Sequence, residues 1–326
     1  MTTQVQTVLG AIDVDRLGMT LMHEHLKIGF PGWQVDTTLE WDREGELEEA
    51  VQRLERLKEL GVGTFVDPCA MELARDPDFM AEVSRRSGVN IVCSTGLYLE
   101  HGLDLAGFPA YFKIMSVDQI QRIYSTELAK GIGPDSIRPG IIKVATGPRR
   151  ISENEEKSLR AASRTAQALD VRITTHTTMG TMGNEQLDIF LSEEMQPHHV
   201  VIGHCDWNHD PAYHRSLLER GCYIGFDGIG IDALCPDEVR IANLVELTGD
   251  GFAKQIVLSH DNIGCWHFSP GDVPAGMKAG LERPKRRYTY LIEEFIPRML
   301  EAGISESAIH TMTVENPRRY FAGEPL

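Results

Sequence analysis

The sequence has no apolar run long enough to cross a bilayer, and its first residues lack the charged-then-apolar pattern of a secretory signal. Its six cysteines stand singly without a C-x-x-C pair, which argues against a disulfide framework and a cysteine zinc site. The formal charge is −16, and no stripe rich in Lys or Arg offsets it. The short basic run at 283–287 is typical of the solvated start of a helix. We therefore expect a cytoplasmic protein that binds neither membranes nor nucleic acids.

Linkers are absent as well, because no Ser-, Gly- or Pro-rich stretch divides the 326 residues. We therefore expect a single domain that spans 1–326. The glycine-rich signatures with which open parallel sheets bind nucleotides, G-x-G-x-x-G and G-x-x-x-x-G-K-[ST], do not follow an early strand. With 42% hydrophobic and 25% charged residues, the composition is that of an ordinary globular protein.

What recurs along the chain is a short apolar run followed by an amphipathic stretch. Alternating residues around Gly10 predict a short hairpin, and eight apolar runs then predict strands at 20–25, 63–67, 90–95, 140–144, 172–176, 200–204, 223–227 and 255–260. Helical spacing predicts helices at 44–60, 152–169, 185–195, 212–220, 237–247 and 285–302. This alternation indicates a parallel sheet, either open or closed as a barrel.

Polar residues favour the barrel, because they stand at the carboxyl ends of strand after strand. A barrel assembles its active site at that end, whereas the nucleotide signatures of an open sheet are missing here. We therefore predict an α/β protein with a (β/α)8 TIM barrel and a short N-terminal hairpin.

The first predicted strand of this barrel ends with His23, Glu24 and His25. Residues two apart on a strand face the same side, so both imidazoles are expected to converge inside the barrel mouth while Glu24 points outward. An isolated pair of this kind is more often part of a hydrogen-bonded core than a metal site. The residues on the other strands, however, favour a metal site.

Lys143 lies among apolar residues on the fourth predicted strand, where an unpaired ammonium is costly to bury. One alternative is that its ammonium reaches solvent or pairs with a carboxylate. The other is that the amine is neutralised or converted into an anionic metal ligand. Later strands end at His176, His204 and Asp261. Neighbouring strands lie about 4.8 Å apart, so these ends can share one small site. Imidazole and carboxylate ligands suit zinc, cobalt, manganese or iron.

The strings that carry these residues resemble the phosphotriesterase-like family of the amidohydrolase superfamily, and they are most similar to its lactonase branch. The matching strings are Leu-Met-His-Glu-His at 21–25, Thr-Gly-Leu-Tyr at 95–98, Gly-Ile-Ile-Lys-Val-Ala-Thr at 140–146, Thr-His-Thr at 175–177, Ile-Gly-His at 202–204, Ser-His-Asp at 259–261 and Glu-Asn-Pro at 315–317. They occur in the family's order over nearly the whole chain.

The resemblance implies a centre of two divalent metal ions, zinc in the first place, with cobalt, manganese or iron as alternatives. The implied ligands are His23, His25 and Asp261 for one ion, His176 and His204 for the other, and a carbamylated Lys143 between them. Carbamylation would turn a buried cation into a bidentate anion. A hydroxide that bridges the ions would attack a carbonyl carbon or phosphorus, and Asp261 would accept the proton as general base.

Three positions bear on the substrate. Tyr98 stands where the lactonase branch usually has Tyr and phosphotriesterases have Trp, which favours a lactone or carboxylic ester over rim packing alone. Gly228 replaces the His of phosphotriesterases and the Arg of many lactonases, and Trp207 replaces an Asp that joins the proton shuttle. The shuttle of the family is therefore absent, and Asp206 or His209 either substitutes for it or lies on the surface.

The segment 262–282 after the last predicted strand is expected to be a long loop. A lid over a small-molecule substrate is the favoured role, and a contact in a homodimer, which is usual in this family, is the alternative. His101 faces either the pocket or solvent.

The predicted function is two-metal hydrolysis of a lactone or carboxylic ester, with weak phosphotriesterase activity. One alternative is hydrolysis of an amide or an organophosphate ester at the same site. Another, from a different class, is a metal-bearing barrel that binds a ligand without turnover.

Overall fold

The structure, a computed structural model, describes residues 3–100, 107–267, 285 and 287–326. Its largest sheet has eight parallel strands in chain order, each beside the next strand of the same sheet, and it curls into a barrel. The strands are β1 Gln4–Thr7, β2 Gly10–Asp13, β3 Met19–Leu21, β4 His25–Gly29, β5 Val62–Asp67, β6 Asn90–Gly96, β7 Ile141–Thr146, β8 Arg172–Thr177, β9 Val200–Ile202, β10 Tyr223–Phe226, β11 Ile256–Leu258 and β12 Ile263–His267. β1 and β2 form an antiparallel hairpin, β4 and β12 form a parallel pair, and the other strands form the barrel. The predicted barrel with an N-terminal hairpin is confirmed.

Helices follow most of the barrel strands. They are α1 Arg43–Glu59, α2 Pro77–Ser87, α3 Ala110–Lys113, α4 Val117–Lys130, α5 Glu153–Leu169, α6 Gly183–Ser192, α7 Pro211–Leu218, α8 Asp237–Gly249, α9 Ile296–Glu301, α10 Glu306–His310 and α11 Asn316–Ala322. Short 3-10 turns occupy Val14–Arg16, Trp33–Val35, Thr178–Gly180, Pro197–His199, Cys205–Trp207 and Phe252–Gln255, and π turns occupy Leu291–Phe295 and Thr311–Glu315. Within the described residues, no helix has both the length and the apolar character needed to span a bilayer.

The barrel strands bury both faces, and the alternation of their side chains sorts the core into two clusters. On β11, Ile256 and Leu258 pack into the cluster that includes the helices, whereas Val257 belongs to a smaller cluster drawn from the other face of the strands. Ile141 on β7 belongs to this smaller cluster too. Residues two apart face the same side, so Lys143 points in the direction of Ile141, into the barrel.

The two end strands of the sheet order, β3 and β11, are joined by the side chain of Glu24. Its carboxylate accepts hydrogen bonds from the Ser259 hydroxyl at 2.7 Å and from the N–H groups of His260 and Asn262, each at 2.9 Å. The Ser259 hydroxyl oxygen accepts the N–H of His23 at 3.0 Å. A buried carboxylate and a hydroxyl thus hold the barrel together where its first and last strands meet.

The structure differs from the predicted elements in three respects. The predicted strand at 20–25 ends early, because β3 stops at Leu21 and a new strand, β4, begins at His25. No helix was predicted in the parts of the chain that form α2, α3, α4, α10 and α11. The expected long loop at 262–282 begins as β12, which pairs with β4 in register from Ile263, and its remainder from 268 lies outside the described residues.

Candidate metal centre

The structure brings all six predicted ligands to the carboxyl end of the barrel. His25 opens β4, Lys143 and His176 lie on β7 and β8, and the remaining three lie in the turns that follow β3, β9 and β11: His23, His204 and Asp261. His204 and Asp261 have positive φ angles of 56° and 51°. This left-handed backbone is strained in non-glycine residues and is typical of functional sites.

The ligand atoms lie close together. Nε2 of His23 is 3.0 Å from the Lys143 amine. The Asp261 carboxylate is 3.3 Å from Nε2 of His25, 3.8 Å from Nε2 of His23 and 4.0 Å from Nε2 of His204. The rings of His176 and His204 meet edge to face with centroids 4.5 Å apart. Three imidazoles therefore turn the same nitrogen, Nε2, towards one carboxylate.

Two buried aspartates fix that orientation from behind. Asp227 contacts Nδ1 of His23 at 3.0 Å and Nδ1 of His204 at 2.8 Å, and Asp67 contacts Nδ1 of His25 at 3.1 Å. A carboxylate at Nδ1 holds the ring proton there and leaves the Nε2 lone pair free to bind a cation. Asp67 and Asp227 were not among the predicted site residues, although each stands at the end of a predicted strand.

The fourth imidazole, that of His176, has different partners. Its Nε2 is 3.1 Å from the Thr178 hydroxyl, and its Nδ1 is 3.4 Å from the Tyr98 hydroxyl. The Tyr98 ring meets this imidazole edge to face at 4.9 Å, and the Tyr98 N–H donates to Glu72 at 2.7 Å. Desolvation raises the pKa of Tyr98 above its usual value, so the phenol stays a hydrogen-bond donor.

Lys143 is buried without a carboxylate partner in the described part of the chain. Its amine contacts Nε2 of His23 and donates to the carbonyl of Thr175 at 3.3 Å. Burial lowers the pKa of Lys143 to about 8, although the charges of Asp227 and Asp261 raise it. An ammonium with these neighbours is poorly stabilised, as the sequence predicted.

The electrostatics of the site fit divalent cations. Burial and the nearby Lys143 lower the pKa of His23 to about 3. Burial raises the pKa of Asp261, but its hydrogen bond with His25 and the charges of His23 and His204 outweigh burial and lower it. A neutral imidazole and an ionised carboxylate are the states in which His23 and Asp261 bind metals. Burial lowers the pKa of His25, but its hydrogen bonds with Asp261 and Asp67 outweigh burial and raise it, so a cation that binds His25 would displace a proton. The ligand atoms of His23, His25 and Asp261 lie within 4.8 Å of one another. Nitrogen and oxygen donors of this kind suit zinc, cobalt, manganese or iron.

Trp207 and Gly228 are packed against each other beside His204. The Trp207 indole stacks on the His204 ring, with centroids 4.1 Å apart and planes 5° from parallel. A Cβ atom at Gly228 would lie 2.2 Å from Nε1 of Trp207, so a side chain at 228 would require the indole to move. The N–H of Trp207 is buried and has no hydrogen-bond partner in the part of the chain that the structure describes.

The two suggested substitutes for the proton shuttle are hydrogen-bonded to groups other than the proposed ligands. Asp206 is fully buried, not on the surface, and its carboxylate binds Arg240 at 2.5 Å and accepts the N–H of Gly228 at 3.2 Å. His209 is exposed and its Nε2 lies 3.0 Å from the carbonyl of Leu234. Asp206 therefore supports the backbone beside the site, and His209 is a surface residue. His101 lies outside the described residues.

Comparison with known proteins places this site in context. A model of the phosphotriesterase family matches residues 3–321. The chain is 31% identical to an aryldialkylphosphatase of Saccharolobus solfataricus over 96% of this chain and 97% of that protein, and 27% identical to a phospho-furanose lactonase of Mycoplasmopsis synoviae over 97% and 91%. The organophosphorus hydrolase of Deinococcus radiodurans is similar in structure, with a TM-score of 0.91 and 34% identity over 98% of this chain and 97% of that one.

Proposed function

Since the chain belongs to the phosphotriesterase family, we propose that it is a metal-dependent hydrolase whose preferred substrate is a lactone or a carboxylic ester. The observation that carries the proposal is the convergence of three Nε2 atoms on the Asp261 carboxylate, next to a buried lysine. A binding protein has no need for such a cluster of strained and desolvated groups.

The centre would hold two divalent metal ions, with zinc as the first choice. The proposed ligands are His23, His25 and Asp261 on one side, His176 and His204 on the other, and Lys143 as a carbamate between them. Bound there, the ions would supply Lewis acidity and lower the pKa of a water molecule. Asp67 and Asp227 orient the imidazoles, and the exposed edge of Asp261, whose side chain is 18% exposed, accepts the proton released at that water.

Carbamylation of Lys143 is supported by its surroundings. The neutral amine would attack CO2, so that a N–C bond forms, one amine proton leaves to solvent, and the product is an anionic carbamate. A pKa of about 8 leaves a sizeable fraction of the amine neutral near physiological pH. The carbamate would also remove a buried positive charge from beside His23.

Two neutral donors face the region where a substrate would bind. The Tyr98 hydroxyl lies beside His176, and the N–H of Trp207 lies beside His204 without a partner among the described residues. A buried donor without a partner costs about 1–3 kcal/mol, so an oxygen of the substrate that accepts it gains affinity. Two donors that stay neutral suit the oxygens of a lactone or ester, whose negative charge develops during attack on the carbonyl.

Phosphotriester hydrolysis is proposed as a weak side activity. Gly228 offers no side chain to carry a proton, Trp207 fills the space beside it, and Asp206 is held by Arg240. Asp261 therefore has fewer routes for passing its proton to solvent. Relatives named for phosphotriester and for lactone substrates both occur, so family membership alone does not choose between them.

The proposal also covers the assembly and setting of the enzyme. We expect one domain over 1–326, because the barrel strands follow one another along the whole chain. A homodimer is expected from the family resemblance, and a cytoplasmic setting is supported by six cysteines that are all free thiols. Light scattering coupled to size exclusion measures the mass, and a monomer at all concentrations would exclude the dimer.

Metal analysis combined with a substrate panel tests the function. The purified protein should contain about two metal ions per chain, and chelation should abolish hydrolysis of lactones and esters until metal is restored. Removing either His23 or His176 should cost most of the activity. Full activity in metal-free protein would refute the mechanism, and a preference for amides or phosphotriesters across the panel would select the alternative substrates. A loaded centre without any turnover would indicate a binding protein.

A further inference from the structure

A second group of metal-binding side chains lies outside the catalytic centre, between helix α1 and strand β12. Glu46 of α1 faces Cys265 and His267 of β12, with its carboxylate oxygens 3.1 Å from the Cys265 sulfur and 3.1 Å from Nε2 of His267. These ligand atoms all lie within 4.8 Å of one another. We call these three residues the Cys265 cluster.

We propose that the Cys265 cluster is a separate site for one thiophilic divalent cation, of which zinc is the physiological candidate. In tetrahedral zinc sites, bonds of about 2.0 Å to nitrogen or oxygen and 2.3 Å to sulfur place neighbouring ligand atoms about 3.3–3.7 Å apart. The observed separations of 3.1 Å are within a few tenths of an ångström of these edges. Small side-chain adjustments would therefore admit the ion.

The local structure presents the ligands in the required direction. Cys265 and His267 are two apart on a strand, so they share the face that meets α1. The rings of Trp33 and Trp41 contact the His267 imidazole at 4.7 and 3.9 Å, which limits its rotation. Its Nδ1 has no hydrogen-bond partner in the described ranges of the chain, so the ring proton can move there and leave Nε2 to the cation.

The charges balance when the cation is bound. A thiolate and a carboxylate together neutralise a divalent ion, whereas burial and the Glu46 charge raise the pKa of the Cys265 thiol to about 12 without one. The nearest cations are engaged elsewhere: Lys27 binds Asp76 at 2.6 Å, and Arg53 binds Glu49 and the carbonyl of Gly264. Their charges act on the cluster from outside it, and within the cluster the Glu46 carboxylate is paired with the His267 imidazole.

The cluster is reached through a cavity and contains a sulfur ligand. A cavity of about 140 Å³ is lined by Glu46 and Cys265, which gives the ion a route and gives a water molecule room as fourth ligand. Of the six cysteines, five are buried and Cys265 is half-buried. The cluster contains a sulfur ligand, whereas the catalytic centre offers nitrogen and oxygen, so the two sites differ in their preference for soft cations. A bound ion would tie β12 to helix α1.

Cobalt spectroscopy distinguishes the two sites. In the full-length protein loaded with Co²⁺, the cluster should give the near-ultraviolet charge-transfer absorption of a thiolate–cobalt bond, which nitrogen and oxygen ligands do not produce. Cys265→Ser should abolish this absorption and lower the metal content by one ion per chain. Glu46→Gln should weaken Co²⁺ binding at the cluster at least about tenfold, and Glu55→Gln, at an exposed position of the same helix, should leave it unchanged.

The readout is spectral and does not depend on hydrolysis, so it stands apart from the proposed function. A wild-type spectrum without the thiolate band at saturating Co²⁺ would overturn the proposal, as would a band that persists in Cys265→Ser. If Cys265→Ser does not fold, an unchanged absorption band together with an unchanged Co²⁺ affinity in Glu46→Gln would overturn the proposal.

Discussion

The indole of Trp207 lies flat on the imidazole of His204, 4.1 Å away, with its N–H directed to the place that a side chain at Gly228 would occupy. Trp207→Phe keeps an aromatic ring on His204 and removes only the donor. We expect kcat/KM for the preferred lactone or ester to fall about tenfold, equivalent to about 1.4 kcal/mol of transition-state stabilisation, with unchanged metal content. Trp41→Phe, a partly exposed tryptophan, is the control. Unaltered kinetics in Trp207→Phe would exclude a contact with the substrate.

The same packing predicts strong coupling between positions 207 and 228. Gly228→His alone should lower activity and stability, because its Cβ would displace the indole. In combination with Trp207→Asp, which removes the obstacle, the histidine should raise paraoxon hydrolysis above that of either single variant. A double-mutant cycle measures this coupling, which we expect to exceed about 1 kcal/mol. Additive effects would show that the two positions are independent.

Lys143 should react with CO2. At a fixed concentration of dissolved CO2, we expect the rate of carbamate formation in metal-free protein to rise with pH and to level off above about pH 8, because the neutral amine is the nucleophile and its pKa lies there. Labelled CO2 followed by carbon NMR measures the product, and Lys143→Arg, which keeps the charge, should give no signal. Lys143→Ala should lose metal and activity, with recovery on addition of a short carboxylic acid. A fully metal-loaded protein with an unmodified lysine would contradict the bridging role.

Tyr98 should discriminate between substrates. Catalytic efficiency on a lactone or carboxylic ester is expected to exceed that on paraoxon by at least about tenfold. Tyr98→Phe should reduce the ester reaction more than any phosphotriester reaction, because it removes the hydroxyl beside His176. Tyr111→Phe, at an exposed tyrosine, should change neither. A better rate with paraoxon would mean that the substrate assignment is wrong, and unchanged lactone turnover in Tyr98→Phe would reduce Tyr98 to a packing residue.

Glu24 should stabilise the barrel rather than take part in chemistry. Glu24→Gln replaces a carboxylate that accepts several buried hydrogen bonds with an amide that also carries donors. We expect a loss of about 2–4 kcal/mol in the free energy of unfolding, since each buried N–H left without a partner costs about 1–3 kcal/mol. Urea denaturation measures the change, with the exposed Glu219→Gln as control. A loss below about 1 kcal/mol would show that the two end strands are held together by other contacts.

The sequence predicted the barrel, the hairpin and the convergence of six side chains, because these follow from strand periodicity and from polar residues at strand ends. Helix α2 was missed although its signals are present: Asp76 caps its start, Pro77 is its first residue and Gly88 ends it. The contact between Trp207 and Gly228 could not be predicted, because it depends on how two separate turns pack. The same holds for Glu24 and Ser259, which are 235 positions apart in the sequence.

That separation has a consequence for how the protein folds. Contacts between successive strands close short loops, whereas the junction made by Glu24 and Ser259 closes a loop of 235 positions and carries a larger entropic cost. His23 and Asp261 stand on opposite sides of that junction, and the N–H of Asp261 donates to the carbonyl of His23 at 3.0 Å. The ligand set is therefore incomplete until the first and last strands of the barrel meet. The rate of high-affinity metal uptake during refolding would report the rate at which the barrel closes.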